Sequence, residues 1–187
     1  LPDQGRVQPT EREQRNLKNT LPIAALVLVA LFGFYLLFVY YVLRDKTSDV
    51  SKFVPYAQVV GPELTLLRPM TLVAISNKSM YYEHPHHLVE ADARRAEWET
   101  LIATLPAGAR IRFEKTLHIK NATSGVISSI LFGQTDVPES GRKIAFEYRW
   151  GQQRENPFVP PAELYWTFPQ APWQREAITE KFIFDAP

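Results

Sequence analysis

The densest cluster of groups able to do chemistry is Glu83-His84-Pro85-His86-His87, with Glu90 and Asp92 just downstream. Neutral imidazoles and carboxylates suit zinc, copper or nickel, and two histidines around a proline can present both rings to one side of an extended segment. Glu83, His84, His86 and His87 are therefore the candidate metal ligands. The stretch lacks the i, i+4 histidine pair of a helical zinc motif. His118 is the only distant further ligand, and strand alternation puts it on a solvent-exposed face. The competing reading is a polar loop leading into a helix, with His86 or His87 near the N-cap.

Hydrolysis would need a nucleophile, a base and an orienting acid. Ser124, Ser128 and Ser129 can be named with His118, but no nucleophile-elbow glycines frame them: Ser124-Gly125 reads as a turn and Ser128-Ser129 as strand. Phosphate loops and dinucleotide fingerprints are also missing, since no stretch has the required glycine spacing. The chain has no cysteine, which excludes disulfides, thiolate metal sites and cysteine nucleophiles together. A chain without catalytic residues or cofactor is the expectation.

The element around which everything else is arranged is the uncharged run from Leu21 to Leu43, followed at once by Arg44-Asp45-Lys46. As a helix it reaches about 34 Å, enough to cross a hydrocarbon core of about 30 Å. Thr20 is placed to cap its first turn, and Pro22 falls where a missing N–H costs nothing. The run continues into aromatic residues rather than a small-residue cleavage site, as a retained anchor does. Ala25, Ala30 and Gly33 offer a neighbouring helix a close approach, while Phe34, Tyr35, Phe38, Tyr40 and Tyr41 suit lipid, the interfacial belt or a partner. Arg6, Arg12, Arg15 and Lys18 precede the run, against Arg44, Lys46 and Lys52 after it. That balance favours a cytoplasmic N-terminus and a C-terminal domain in the periplasm or an equivalent space, at an inner, energy-transducing or plasma membrane.

Around this anchor the sequence divides into a polar tail (residues 1–20), a stalk interrupted by Pro55 and Pro62 (residues 44–62), and a folded domain (residues 63–187). Acidic and basic residues balance after the run, so nothing resembles a nucleic-acid footprint. Short strands are expected at 63–68 and 70–75. From Leu88 to Leu105 the apolar residues Leu88, Ala91, Trp98, Leu101, Ile102 and Leu105 follow a helical period, which predicts an amphipathic helix. Between Arg110 and Lys120, Ile111, Phe113, Leu117 and Ile119 alternate with polar residues. Only Lys115 breaks that pattern, at a bulge or a barrel edge. Residues 126–132 and 142–150 form a hairpin. The prolines and aromatics of 156–173 wrap over the sheet, with Phe158, Trp166, Phe168 and Trp173 serving either the core or a protein interface. Arg110, Arg112 and Lys120 share one strand face, either solvated or facing an anionic partner. Asn77-Lys-Ser79 and Asn121-Ala-Thr123 have the form of glycosylation sequons.

The fold class expected is thus a single N-terminal transmembrane helix followed by a mainly antiparallel β domain, a small barrel or sandwich with one inserted amphipathic helix. From Leu105-Pro106-Ala107-Gly108 into the alternating strand, a short stretch resembles the SH3-like barrels of bacterial envelope proteins. From Arg15-Asn16, through the tyrosines, to Ser48-Asp49-Val50, the chain is similar to single-span assembly factors of cytochrome oxidase. The first resemblance implies a small barrel and the second a role in membrane assembly; neither supplies site residues. The functional expectation is a non-catalytic accessory, scaffold or assembly subunit of an integral membrane complex, respiratory or photosynthetic. The alternative is a tethered module that binds glycan, peptide or metal through His84 to His87.

Overall fold

The computed structural model describes residues 11–80, 82–138, 140–156 and 163–184. The chain forms two units, Leu1–Arg44 and Asp45–Pro187. The first is built on one helix, α1 (Glu11–Val42). It begins ten residues before the apolar run, so part of the expected tail is helical. Glu11-Arg12-Glu13-Gln14-Arg15 are strong helix formers, which explains the extension. Thr20 and Pro22 accordingly lie inside the helix rather than at its start, and Pro22 forgoes one hydrogen bond there. The segment Ala25–Val42 has a mean hydropathy of 2.4 and none of it is buried within the chain.

The second unit is a mainly antiparallel β domain. Its strands are β1 (Lys46–Asp49), β2 (Glu63–Thr65), β3 (Met70–Ile75), β4 (His86–Glu90), β5 (Glu99–Leu105), β6 (Arg110–Lys120), β7 (Ile127–Asp136), β8 (Lys143–Arg149), β9 (Gln152–Asn156) and β10 (Glu163–Thr167). One sheet runs β1-β6-β7-β8-β4-β3-β5, with β2 also paired to β6, and β9 and β10 form a separate hairpin. Among the described residues all pairings between these strands are antiparallel but one, and outside the strands Val60 makes an isolated parallel bridge to Phe113. The two halves of the large sheet meet at a single parallel bridge between β4 and β8, His87 to Glu147.

β6 carries the architecture. Its register on β7 shifts between Phe113 and Lys115, a bulge at the point where the sequence alternation breaks. A bulge inserts one residue and turns every later side chain to the opposite face. Ile111 and Phe113 therefore face the main core, but beyond the bulge Thr116 and His118 do so. Ile119 and Leu117 turn to the reverse face and pack with Ile130 and Phe132.

Three expectations are corrected. Residues 88–105 are not a helix: β4 and β5 flank β3, because Thr100, Ile102 and Thr104 favour extended backbone and Ala103 and Leu105 alternate into the core. Nor is 44–62 a stalk. It supplies β1, and Val50, Tyr56 and Val59 are buried in the core, so the domain begins at Asp45. Finally, the 126–132 strand extends to Asp136, so that Gly133, Gln134 and Thr135 belong to the hairpin ladder rather than to its turn. Gly133 is required there, since a Cβ would fall 2.7 Å from the Arg112 carbonyl oxygen.

Candidate functional site

The His-rich stretch is organised by a carboxylate that the sequence did not single out. In β8, Ile144, Phe146 and Tyr148 face the main core, so Glu147 points to the reverse face, opposite Phe132 of β7. It is 3% exposed. The turn before β4 lies across it: the Tyr82 amide donates to Glu147 Oε1 at 2.9 Å and Oε2 at 3.1 Å, the His84 amide to Oε1 at 2.9 Å, and the Glu83 amide to Oε1 as well. His87 Nε2 lies 3.5 Å from Oε2, at the outer limit of a hydrogen bond. Burial pushes the Glu147 pKa up, but His87 and the three amides outweigh it and hold the carboxyl below its ordinary range.

The four candidate metal ligands are divided by this arrangement. Glu83 is engaged by Lys115, whose Nζ lies 2.6 and 2.9 Å from its carboxylate oxygens and 4.9 Å over the Phe132 ring. The His84 ring sits edge-on to Phe132 at 5.9 Å. His86 and His87 are successive residues of β4 and so point to opposite faces, with His86 Nδ1 3.1 Å from the Ala145 carbonyl oxygen. Neither caps a helix. Among the described residues no group of three His, Asp or Glu side chains is placed to hold a metal ion.

The second polar cluster joins residues far apart in sequence. Tyr56, in a 3-10 turn, places its hydroxyl 2.9 Å from His118 Nε2 and 2.7 Å from Ser129 Oγ. His118 was expected on a wet face; the bulge turns it inward, leaving it 1% exposed. Its ring stacks on Trp166 at 4.1 Å, with Phe184 edge-on at 5.0 Å. Burial pushes its pKa down from 6.5 to about 4, and burial also raises that of Tyr56. The hydroxyl of Tyr56 stands between His118 and Ser129, so the histidine does not reach the serine directly. Enclosed by rings, these three groups pin the turn at Tyr56 to β6 and β7.

Close to Ser129 a groove of about 620 Å3 and mixed polar and apolar lining opens between the β6–β7 turn and the start of β9, with Ser124, Val126, Ile127, Ser128, Arg149 and Gln152 among its walls. Its shape depends on Gly151, which has φ +106° and lies under Phe168; a Cβ there would fall 2.8 Å from the Phe168 ring.

The aromatic segment faces inward. Trp166 and Phe168 are buried, and Trp173 is partly buried with Phe113, Tyr148 and Trp150 within 5.0 to 5.5 Å. These three are core residues rather than a free interface, because they roof the open side of the sheet; Phe158 lies outside the described residues. Arg110, Arg112 and Lys120 do not share a face either. Arg110 pairs with Glu63 at 3.1 Å, whereas Lys120 lies past the bulge and opposite Lys46. Asn77 and Asn121 each accept hydrogen bonds from amides two residues on, at 3.1 and 3.0 Å, so both have a turn-forming role. On α1, Ala25, Ala30, Phe34, Tyr35, Phe38, Tyr40 and Tyr41 are exposed and Gly33 is half-exposed.

Glu147 and Tyr56 left no motif, since each partner set is assembled only by the fold. The one available signal was a lone acid at the centre of an apolar strand, Phe146-Glu147-Tyr148, which must find donors if it is buried. Compared with protein-family models, with curated proteins and with solved structures, the chain has no match.

Proposed function

We propose that this chain is a single-pass membrane protein whose β domain serves as a non-catalytic accessory, scaffold or assembly part of a larger membrane complex. The observation that carries the reading is Ala25–Val42: eighteen residues with a mean hydropathy of 2.4, none of them covered by the rest of the chain. That much apolar surface needs a cover from outside, and a bilayer supplies one of matching length. The N-terminus is assigned to the cytoplasmic side on the slight excess of cations before the run, which places the β domain on the extracytoplasmic side.

The β domain supports a structural role in two ways. Its candidate base, His118, is sealed among aromatic rings and kept from Ser129 by Tyr56. Of its candidate metal ligands, Glu83 is paired with Lys115 and His86 with the Ala145 carbonyl oxygen. The small barrel or sandwich expected from the strand pattern fits the same reading, as a solid block that bridges neighbours. Purification of the tagged full-length chain in a gentle detergent, with mass spectrometry of what accompanies it, is the test. Stoichiometric recovery of integral membrane subunits is expected. A monodisperse chain recovered without any membrane partner would overturn the complex-subunit reading.

A further inference from the structure

The large sheet closes incompletely where its two halves meet. β4 and β8 run parallel and share one bridge, His87 to Glu147, with His86 Nδ1 lying 3.1 Å from the Ala145 carbonyl oxygen just before it. Beyond the bridge, among the described residues, the two strands pair no further. A slit of about 290 Å3 opens there, lined by His87 to Glu90 on one wall and Glu147 to Arg149 on the other.

The ladders on the far sides of the two strands fix which main-chain groups turn to this slit, because alternate residues of an antiparallel ladder point both amide and carbonyl at the same neighbour. The Ile75 amide donates to the Pro85 carbonyl oxygen at 2.6 Å, so His87 and Val89 turn to β3 while His86, Leu88 and Glu90 turn to β8. The Trp150 amide donates to the Ser129 carbonyl oxygen at 3.2 Å, so Phe146 and Tyr148 turn to β7 while Glu147 and Arg149 turn to β4. Continued by one rung, the parallel ladder would join Arg149 to Leu88 and Glu90, and that rung is not made. A strand edge therefore stands on each wall, the Leu88 carbonyl and Glu90 amide facing the amide and carbonyl of Arg149. The outer strands of the sheet blunt such edges: β5 is broken by a bulge opposite Leu72 and Val73, and β1 is four residues long and begins with a lysine. The slit has neither device.

We propose that the slit receives the end of an extended segment of a partner protein, which adds as a short strand between β4 and β8. The complement of two facing strand edges is a third strand, whose alternating amides and carbonyls meet both walls. The His87 to Glu147 bridge shuts the inner end, so the segment ends there instead of running through. Leu88, Val89 and Tyr148 make the walls partly apolar, which suits small or apolar side chains on the incoming strand. The proposal rests on the reading of this chain as part of a larger membrane complex, and it names the surface by which the β domain holds a neighbouring subunit.

Proline separates main chain from side chain here. Glu90→Pro and Arg149→Pro each remove an amide that the β3 and β7 ladders do not use and put a ring into the slit, whereas Glu90→Ala and Arg149→Ala remove the side chains and keep the amides. Each tagged full-length variant is purified in gentle detergent, and the membrane subunits that accompany it are quantified by mass spectrometry. Recovery is expected to fall about tenfold in either proline variant and to stay at the wild-type level in the alanine variants. Amide-resolved hydrogen exchange on the wild-type chain is the second readout and needs no substitution: the Glu90 and Arg149 amides are expected to exchange about tenfold more slowly in the complex than in the free protein. Unchanged recovery in the proline variants, equal loss in the alanine variants, or equal exchange in the free and assembled states overturns the slit as a docking site and leaves the complex-subunit reading intact. A wild-type chain that brings down no membrane subunit overturns both.

Discussion

His118 and Glu147 are both withdrawn from water, at 1% and 3% exposure, yet they resolve their burial in opposite ways. His118 is surrounded by aromatic rings and one tyrosine hydroxyl, so the charged form is disfavoured and the ring stays neutral down to about pH 4. Glu147 is met by three backbone amides and a nearby imidazole, so the carboxylate stays charged despite its burial. The difference lies in the donors, which decide whether a buried titratable group surrenders its charge or fixes its neighbours.

The largest effect is expected from Glu147→Ala, which leaves the amides of Tyr82, Glu83 and His84 without their acceptor. A loss of about 4 kcal/mol is expected by denaturant unfolding of the detergent-solubilised protein, and Glu147→Gln should recover part of it. A loss below about 1 kcal/mol would mean that the turn finds other acceptors.

The pH dependence separates the two groups. For His118 the folded pKa of about 4 lies below the ordinary 6.5, so its contribution is complete above pH 6.5 and declines as pH falls towards 4, by about 3 kcal/mol in all. For Glu147 the folded pKa lies below 4.5, so its contribution is complete above that value and lost only as pH falls further, through the folded pKa. Unfolding measured from pH 8 to 4 should therefore show a slope that His118→Phe removes and Glu147→Gln leaves in place. A slope unchanged in His118→Phe would place the titrating group elsewhere.

Tyr56→Phe is a smaller perturbation. It removes the hydroxyl shared by His118 and Ser129 but keeps the ring among Trp150 and Phe168, and about 1.5 kcal/mol is expected by thermal or denaturant unfolding. Smallest is Lys115→Met. The Lys115 and Glu83 side chains are 38% and 40% exposed, so breaking their pair should cost about 0.5 kcal/mol, less at high salt. A larger cost there would mean that Lys115 orders the turn over Glu147.

What sequence reading recovers follows the same division. The apolar run, the long alternating strand and the following hairpin are local periodic patterns, and they stand in the structure as α1, β6 and the β7–β8 pair. The bulge was also visible at Lys115, but its consequence for His118 depends on which residues pair across it. β4 and β5 were misread because six apolar residues separated by a loop happen to fit a helical period. β9, with the sequence QQREN, has no apolar alternation to mark it, although it pairs along its whole length with β10. The candidate site was the least legible part. A dense histidine motif attracts attention in sequence, whereas the groups that hold it, Glu147 and Lys115, come from strands in another half of the sheet.

The pairing of β1 with β6 has a consequence for how the molecule is made. Lys46 to Asp49 bond to residues 117–120, so the first strand to be synthesised has no partner until roughly seventy more residues have emerged. Val50, Tyr56 and Val59, made just after it, are core residues that must wait for the same strand. During biogenesis the part of the domain next to the apolar run is therefore the first to emerge and among the last to be shielded, and any factor that guards the nascent chain has its work in that interval.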